Sequence, residues 1–293
     1  MKIEVKKLDG NKREVSVEIS GDIVKNKFED VFKKIAKEAK VPGFRPGNAP
    51  RDILEKHYSS HAHEQVLKEL IPELYNQAIE KEGLDIVELP NIFDVKLERD
   101  NLSFKAHVEI SPQVSAKNYK GIRVNYKKIE VTPDELKRSL DSLKESRKVE
   151  VIDDNFAKGL GYPNLLELEK AFERQIYLQK ESLQRQKIEN EIVEAITKGL
   201  DFKLPSSMVT RQLDDLVRQT KLDLALKGIP RDKIDGQDKV MRQELEPQAK
   251  RQVKVYLVLS AIAKKENIAQ DDHMPAHVIE FLLKEANWQE GGN

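Results

Sequence analysis

The chain opens with the period of two that is typical of a strand with one exposed face. Val15, Val17 and Ile19 alternate strictly with polar residues, and Asp9-Gly10-Asn11 separates them from an earlier apolar run with a turn sequence. The same alternation returns between residues 93 and 110. We therefore predict two hairpins, one over residues 2–20 and one over residues 93–110.

Between these hairpins, apolar residues recur every three or four positions, which predicts amphipathic helices over residues 22–40 and 50–82. Pro72 lies inside the second helix, where we expect a kink or a break into two helices. Gly83 is a suitable C-terminal stop. Strands, helices and strands in this order predict an α+β domain over residues 1–111, with an antiparallel sheet packed against long helices.

The remaining chain changes to a helical period after a connector. Residues 112–152 predict a linker with a short strand at Val124 and Tyr126, and with a helix that starts after Thr132. From residue 153 the apolar spacing is helical to the end. This pattern predicts an all-α, elongated C-terminal domain over residues 153–293.

Composition narrows the class of protein. Charged residues make up 35% of the 293 positions, which favours a shape with much surface, and 51 basic residues balance 51 acidic ones. This balance argues against bulk nucleic-acid binding. The absence of cysteine excludes disulfides and thiolate chemistry. The N-terminus lacks an apolar signal region, and no uncharged apolar run approaches about 18 residues, so we expect a cytoplasmic protein with no membrane partner.

Candidate chemistry is sparse. The chain has no phosphate-binding Gly-rich loop and no GxSxG nucleophile elbow. Histidines at helical spacing are the one metal-like pattern, and two of them on one helix face need a third ligand to hold zinc. They form no HExxH, and charge-rich helices produce such pairs by chance, so we interpret them as solvated helix faces. These residues are His57, His61, His63, His273 and His277. We predict no catalytic residues, no metal and no cofactor.

A loop rich in proline and glycine separates the two helices of the first domain. It places Phe44 beside Arg45, two residue types that are favoured at interface hot spots, and its flanking residues preset its shape. The alternative is that Phe44 packs back into the core. Nearby charge favours docking on an anionic, RNA-bearing particle, because residues 23–51 contain eight basic and three acidic residues. The alternative is that this lysine-rich helix face is only solvated. The basic residues are Lys25, Lys27, Lys33, Lys34, Lys37, Lys40, Arg45 and Arg51.

This loop fills every fixed position of a Gly-Phe-Arg-x-Gly-x-x-Pro signature, and on that basis the chain resembles the bacterial trigger factor family of chaperones. The resemblance continues through Glu69–Pro72, Tyr119–Ile122, Asp153–Lys158, Ala249–Val253 and Ile262-Ala263. It implies that the loop docks on a ribosomal protein beside the exit tunnel, with help from ribosomal RNA, and that Phe44 and Arg45 are the main contacts. The implied docking residues are Gly43, Phe44, Arg45, Pro46, Gly47, Asn48, Ala49 and Pro50.

Two departures from the family pattern matter. The family inserts an FKBP-like prolyl isomerase domain between a helix that here ends near Arg147 and a segment that here begins at Asp153. Only Lys148–Ile152 lies between them, which is far too short for a domain, so we expect no isomerase activity and no enzyme. After Ile268 only 25 residues remain, which implies that part of the family's second arm is missing or shortened.

The resemblance further implies that the helices after residue 153 form arms and a cradle that hold nascent and unfolded polypeptides without ATP. Candidate contacts are apolar residues whose helical spacing favours core packing over binding. They are Met208, Leu224, Ile229, Met274, Phe281 and Trp288. A homodimer that hides such residues stays open. The alternative hypotheses are an extended helical adaptor that binds a protein or RNA assembly without chaperone action, and a retained isomerase.

Overall fold

The computed structural model describes residues 1–39, 41, 44 and 49–290. Its contacts divide the chain into two compact units. Unit 1 combines residues 1–113 with residues 201–257, and unit 2 combines residues 114–200 with residues 258–293. Each unit therefore contains segments that are far apart in the sequence.

A four-stranded antiparallel sheet forms the centre of unit 1. Its strands are β1 (Lys2–Lys7), β2 (Lys12–Ser20), β3 (Asn91–Leu97) and β4 (Asn101–Glu109), in the order β1-β2-β4-β3. The alternation seen in the sequence has the expected effect, because Val15, Val17 and Ile19 all point into the core. Both predicted hairpins are confirmed.

Two long helices cover the apolar face of this sheet. They are α1 (Asp22–Glu38) and α2 (Arg51–Glu82), and Gly83 ends α2 in the left-handed conformation with φ of 61°. Helix α2 runs through Pro72 without interruption, so the alternative of two separate helices is wrong. Leu70 and Leu74 are buried on either side of Pro72, and their packing offsets the hydrogen bond that proline removes.

Unit 1 also contains a helical hairpin. Helix α6 (Ser206–Leu226) leads through the short α7 (Arg231–Gly236) into α8 (Asp238–Glu266), whose last residues belong to unit 2. Helices α6 and α8 run side by side, because the Arg242 guanidinium lies 2.6 Å from the Asp214 carboxylate and Gln212 donates to Gln252 at 2.9 Å.

Unit 2 is mainly helical. It contains β5 (Arg123–Tyr126), α3 (Pro133–Arg147), α4 (Asp154–Gly159), α5 (Leu165–Thr197), α9 (Met274–Lys284) and β6 (Asn287–Glu290). Helix α3 begins with a capping box in which Glu135 N–H donates to the Thr132 hydroxyl and Thr132 N–H donates to the Glu135 carboxylate. In the described part of the chain, no helix is long and apolar enough to cross a lipid bilayer.

The expectation that residues 153–293 are all-α is wrong at one place. Residues 287–290 form β6, which pairs in parallel with β5, and the rings of Tyr126 and Trp288 meet edge to face at 6.0 Å. The partner strand lies about 160 positions earlier in the sequence, so no local period could indicate this pairing. Burial of Val124 and the aromatic contact stabilise a strand that would be too short alone.

Candidate functional site

The loop that precedes α2 presents an aromatic side chain to solvent. Phe44 is 41% exposed, and its backbone N–H donates to the carbonyl of Val41 at 3.1 Å. Phe44 is therefore not packed into the core, in contrast to the alternative raised from the sequence. Ala49 is half-buried against the core, and Pro50 is the N-cap of α2. The other predicted docking residues lie outside the described part of the chain: Gly43, Arg45, Pro46, Gly47 and Asn48.

The described residues on either side of this loop are held by the core. Ala39 and Val41 are buried where α1 ends. At the start of α2, the Arg51 guanidinium lies 3.7 Å from the centre of the Phe32 ring, and its Nε lies 2.8 Å from a carboxylate oxygen of Glu55. This cation–π contact joins α2 to α1 next to the loop, so both helix ends that carry the loop are fixed.

Part of the positive charge of α1 is paired with carboxylates inside unit 1, which limits the argument from the residue count. Lys34 and Lys27 lie 2.9 Å and 3.5 Å from the carboxylate of Glu69 on α2. Hydrogen bonds from Gln65 and Lys34 hold the pKa of Glu69 at about 2. Further pairs join Lys25 to Asp100, Lys33 to Asp30, and Arg51 to Glu29 and Glu55. Lys27 and Lys34 therefore offer an anionic partner less charge than unpaired lysines would.

The predicted client contacts have different environments. Met274 is 1% exposed and belongs to the core of unit 2, so it is not available to a client in this structure. Trp288 is 44% exposed, although its indole N–H donates to the carbonyl of Leu283 at 3.0 Å. Ile229 is 38% exposed. Half-buried positions hold the other three, Met208, Leu224 and Phe281.

Phe281 takes part in a structural cluster of unit 2. The Lys120 ammonium lies 5.2 Å from the centre of the Phe281 ring and 3.0 Å from the Glu266 carboxylate. The hydroxyl of Tyr119 donates to the same carboxylate at 2.5 Å, and this bond, together with burial, raises the pKa of Tyr119 to about 12. The Tyr119–Ile122 segment therefore attaches the linker to α8 and α9, and Phe281 contributes to that attachment.

Sequence reasoning missed the most exposed apolar residues of the α6–α8 hairpin. Leu222, Leu226 and Val240 project into solvent, and Leu226 is 78% exposed. Val217 is the buried residue of α6, and a helix turns by 100° per residue. Positions five and nine residues after Val217 therefore face away from the core, a signal that the spacing already contained.

Histidines that form the metal-like pattern contact neighbouring protein groups. His63 Nδ1 lies 2.8 Å from the carbonyl oxygen of Ser59, and its ring meets the edge of Phe28 at 5.1 Å. The rings of His273 and His277 lie 6.3 Å apart, with Asp271 4.0 Å from His277. Within the described ranges, no group of three or more His, Cys, Asp or Glu residues could hold a metal ion.

The fold resembles a chaperone of known structure. A solved structure described as "Promiscuous Substrate Recognition in Folding and Assembly Activities of the Trigger Factor Chaperone" superposes with a TM-score of 0.54 and 13% identity. The match covers 97% of this chain and 93% of that chain. The two chains therefore share their overall fold.

The sequence comparisons define the family. Two family models match, "Bacterial trigger factor protein (TF)" over residues 1–143 and "Bacterial trigger factor protein (TF) C-terminus" over residues 164–289. The trigger factor of Halothermothrix orenii is 24% identical over 97% of this chain and 90% of its own length, and that of Carboxydothermus hydrogenoformans is 25% identical over 93% and 88%. The chain belongs to the trigger factor family.

The same comparisons show that this chain is shorter than its relatives. The alignment with the Halothermothrix orenii protein spans 391 positions, whereas this chain has 293 residues, so at least 98 positions (391 minus 293) are filled only in the relative. Only residues 144–163 separate the two matched regions of this chain.

Proposed function

We propose that this chain is a chaperone that docks on the ribosome through residues 43–50 and holds nascent and unfolded polypeptides without ATP. The observation that carries the proposal is Phe44, which is exposed within the family signature while its neighbours Val41 and Ala49 pack on the core. An exposed aromatic side chain is suited to enter a partner's pocket, because aromatic residues are enriched among the hot spots of interfaces.

The internal ion pairs of α1 support a local docking site over a diffuse electrostatic one. Lys27 and Lys34 are already paired with Glu69, so attraction to ribosomal RNA depends on the loop's own Arg45 more than on the helix face. We also propose that the chain contacts ribosomal RNA and that it works in the cytoplasm. A free homodimer also stays a prediction.

The client surface is proposed on the α6–α8 hairpin. Leu222, Leu226 and Val240 are exposed on α6 and α8, and Ile229 is exposed in the connection between α6 and α7. Charged side chains surround these positions in the sequence. Scattered apolar side chains among charges bind many unfolded sequences weakly, and the charges keep the chaperone itself dispersed. Trp288 is a further candidate in unit 2, and the half-buried Met208, Leu224 and Phe281 are secondary ones.

We also propose that the positions missing between the two matched regions correspond to the isomerase domain implied by the resemblance. Residues 144–163 include the end of α3 and all of α4, so they leave no room for a separate core. The expected result is no acceleration of prolyl isomerisation above background in a protease-coupled peptide assay. Activity well above background would overturn this part of the proposal.

Ribosome co-sedimentation tests docking. We expect the parent chain to pellet with ribosomes and a Phe44→Ala, Arg45→Ala double variant to remain in the supernatant. Leu89→Ala is a matched control, because Leu89 is an exposed apolar residue outside the loop in the same unit. Circular dichroism checks that all three proteins fold. If the folded double variant pellets like the parent, docking through this loop is wrong.

A further inference from the structure

A buried carboxylate connects the sheet of unit 1 to its helical hairpin. Glu109, the last residue of β4, is 3% exposed and is the only buried charged residue in the described ranges. Its carboxylate accepts hydrogen bonds from the backbone N–H groups of Ser206 and Ser207, both at 2.8 Å. It also accepts from the hydroxyls of Ser207 at 2.5 Å and of Ser206 at 3.2 Å.

This arrangement supplies the cap that α6 lacks in its own sequence. Pro205 occupies the N-cap position and provides no side-chain acceptor, so the first N–H groups of α6 need another partner. Glu109 provides that partner from 97 residues away, where the helix dipole also favours a negative charge. Burial opposes ionisation, yet the four serine donors together hold the pKa of Glu109 below its ordinary value.

A second contact joins the same two segments. The Asn11 side-chain amide donates to the carbonyl of Lys203 at 2.6 Å, and the Lys203 ammonium lies 2.8 Å from the Asp9 carboxylate. Gly10 adopts a φ of +57°, and a Cβ at this position would lie 2.5 Å from the Lys203 side chain. Lys203 therefore packs closely against the β1–β2 turn. The backbone N–H of Ile110, the residue after Glu109, donates to the carbonyl of Asn11 in this turn.

The two contacts differ in strength. Asp9 and Lys203 are highly exposed, so their ion pair contributes little. The carboxylate of Glu109 is buried and multiply bonded, and its loss would leave several N–H and O–H groups without their acceptor. The buried contact therefore contributes more to joining the two segments than the turn contact does.

We infer that Glu109 is a positioning residue that fixes the α6–α8 hairpin to the sheet domain. This inference rests on the proposed function, because it assigns the docking loop and the client-holding side chains to one rigid body. Docking on the ribosome then determines where Leu226 and its neighbours stand, which raises their effective concentration near an emerging chain. Loss of Glu109 should separate the two activities without removing either.

Distance measurements on the free protein test the connection directly. The chain has no cysteine, so Leu89→Cys and Leu226→Cys introduce two unique spin-label positions, both on exposed side chains of unit 1. We expect one narrow distance distribution in the parent and a broad one after Glu109→Gln. Glu18→Gln is the matched control, because Glu18 is an exposed glutamate on the same sheet. An unchanged distribution after Glu109→Gln would overturn the inference.

Hydrogen exchange provides a second readout at the cap itself. Loss of a charge-assisted acceptor should speed exchange of the Ser206 and Ser207 amides about 10- to 100-fold. Removing the Ser206 and Ser207 hydroxyls together should have an effect that is not additive with Glu109→Gln, because both changes break one network. Additive effects would contradict the network. If Glu109→Gln does not fold, Ser207→Ala alone tests the same bond more gently.

Ribosome experiments separate this inference from the proposed function. We expect Glu109→Gln to pellet with ribosomes as the parent does and to suppress aggregation in free solution equally well. Crosslinking from position 226 to a nascent chain should fall, and Glu109→Asp, which retains the charge, should restore part of it. If the parent itself does not pellet, the docking proposal fails while the distance measurement still decides the role of Glu109.

Discussion

The hydrogen bond between Tyr119 and Glu266 should be a main attachment of the linker in unit 2. Tyr119 is 4% exposed, and its hydroxyl donates to the Glu266 carboxylate at 2.5 Å. Tyr119→Phe removes only the hydroxyl and leaves the ring in place. Since hydrogen bonds to charged groups contribute about 1.5–3 kcal/mol, and Glu266 keeps its pair with Lys120, we expect a loss of about 1–2 kcal/mol.

Lys120→Met is the comparison variant for this prediction. The Lys120 side chain is about half exposed, so its ion pair with Glu266 contributes at most about 1 kcal/mol, with a similar small contribution from its contact with the Phe281 ring. Urea unfolding at neutral pH, followed by circular dichroism, measures both variants. We expect a larger loss for Tyr119→Phe than for Lys120→Met. The reverse order would refute the assignment of the hydroxyl as the stronger contact.

The same hydroxyl predicts a dependence on alkaline pH. The pKa of Tyr119 is raised to about 12 in the folded protein, against an ordinary value of about 10. The folded state therefore keeps a proton that the unfolded state loses, and the stabilisation is fully present below pH 10 and falls as pH rises toward 12. The difference in stability between the parent and Tyr119→Phe should shrink over that interval. A constant difference would contradict the hydrogen bond as its source.

Three further outcomes are expected for single substitutions at other sites. The pKa of Glu69 is lowered from 4.5 to about 2, so its contribution to stability is present above about pH 4.5 and is lost as pH falls toward 2. The stability of Glu69→Gln should therefore fall less steeply with pH than that of the parent over this interval. Leu226→Ser should weaken suppression of aggregation of an unrelated unfolded protein and leave the melting temperature unchanged within error. Met274→Ala should do the opposite, with a loss of about 2–5 kcal/mol in denaturant unfolding.

Local periodicity was sufficient for most secondary structure. The alternation around Val17 predicted a strand, and two helical stripes, one with Val31 and one with Leu70, predicted helices that the structure contains. These signals work because one face of each element is buried, and burial imposes a period of two or 3.6 residues. Pro72 was misleading as a possible break, because the loss of one hydrogen bond is small beside the packing of α2 on the sheet.

Contacts between distant segments could not be predicted in the same way. The β5–β6 pair, the cap from Glu109 to α6 and the contact of Lys203 with the β1–β2 turn each join residues far apart in the chain. Glu109 follows an apolar alternation and resembles any exposed glutamate in the sequence. Only the fold shows that it is buried and that Ser206 and Ser207 meet it. The domain boundaries predicted from the sequence remain a prediction. They follow the order of the chain, whereas segments 1–113 and 201–257, which are far apart in the sequence, form one compact unit.

The count of basic residues in the sequence overestimated the unpaired positive charge of α1. Counting residues gave α1 a strongly basic face, whereas the structure pairs Lys27 and Lys34 with Glu69 on α2. A paired charge attracts a distant anion weakly, because the field of the pair decays faster than that of a single charge and salt screens what remains. Docking by bulk attraction would therefore depend steeply on salt, whereas docking through Phe44 adds an apolar contact that salt screens little. We expect ribosome binding to weaken only modestly with salt, and a steep salt dependence that persists after Phe44→Ala would favour the diffuse electrostatic mechanism.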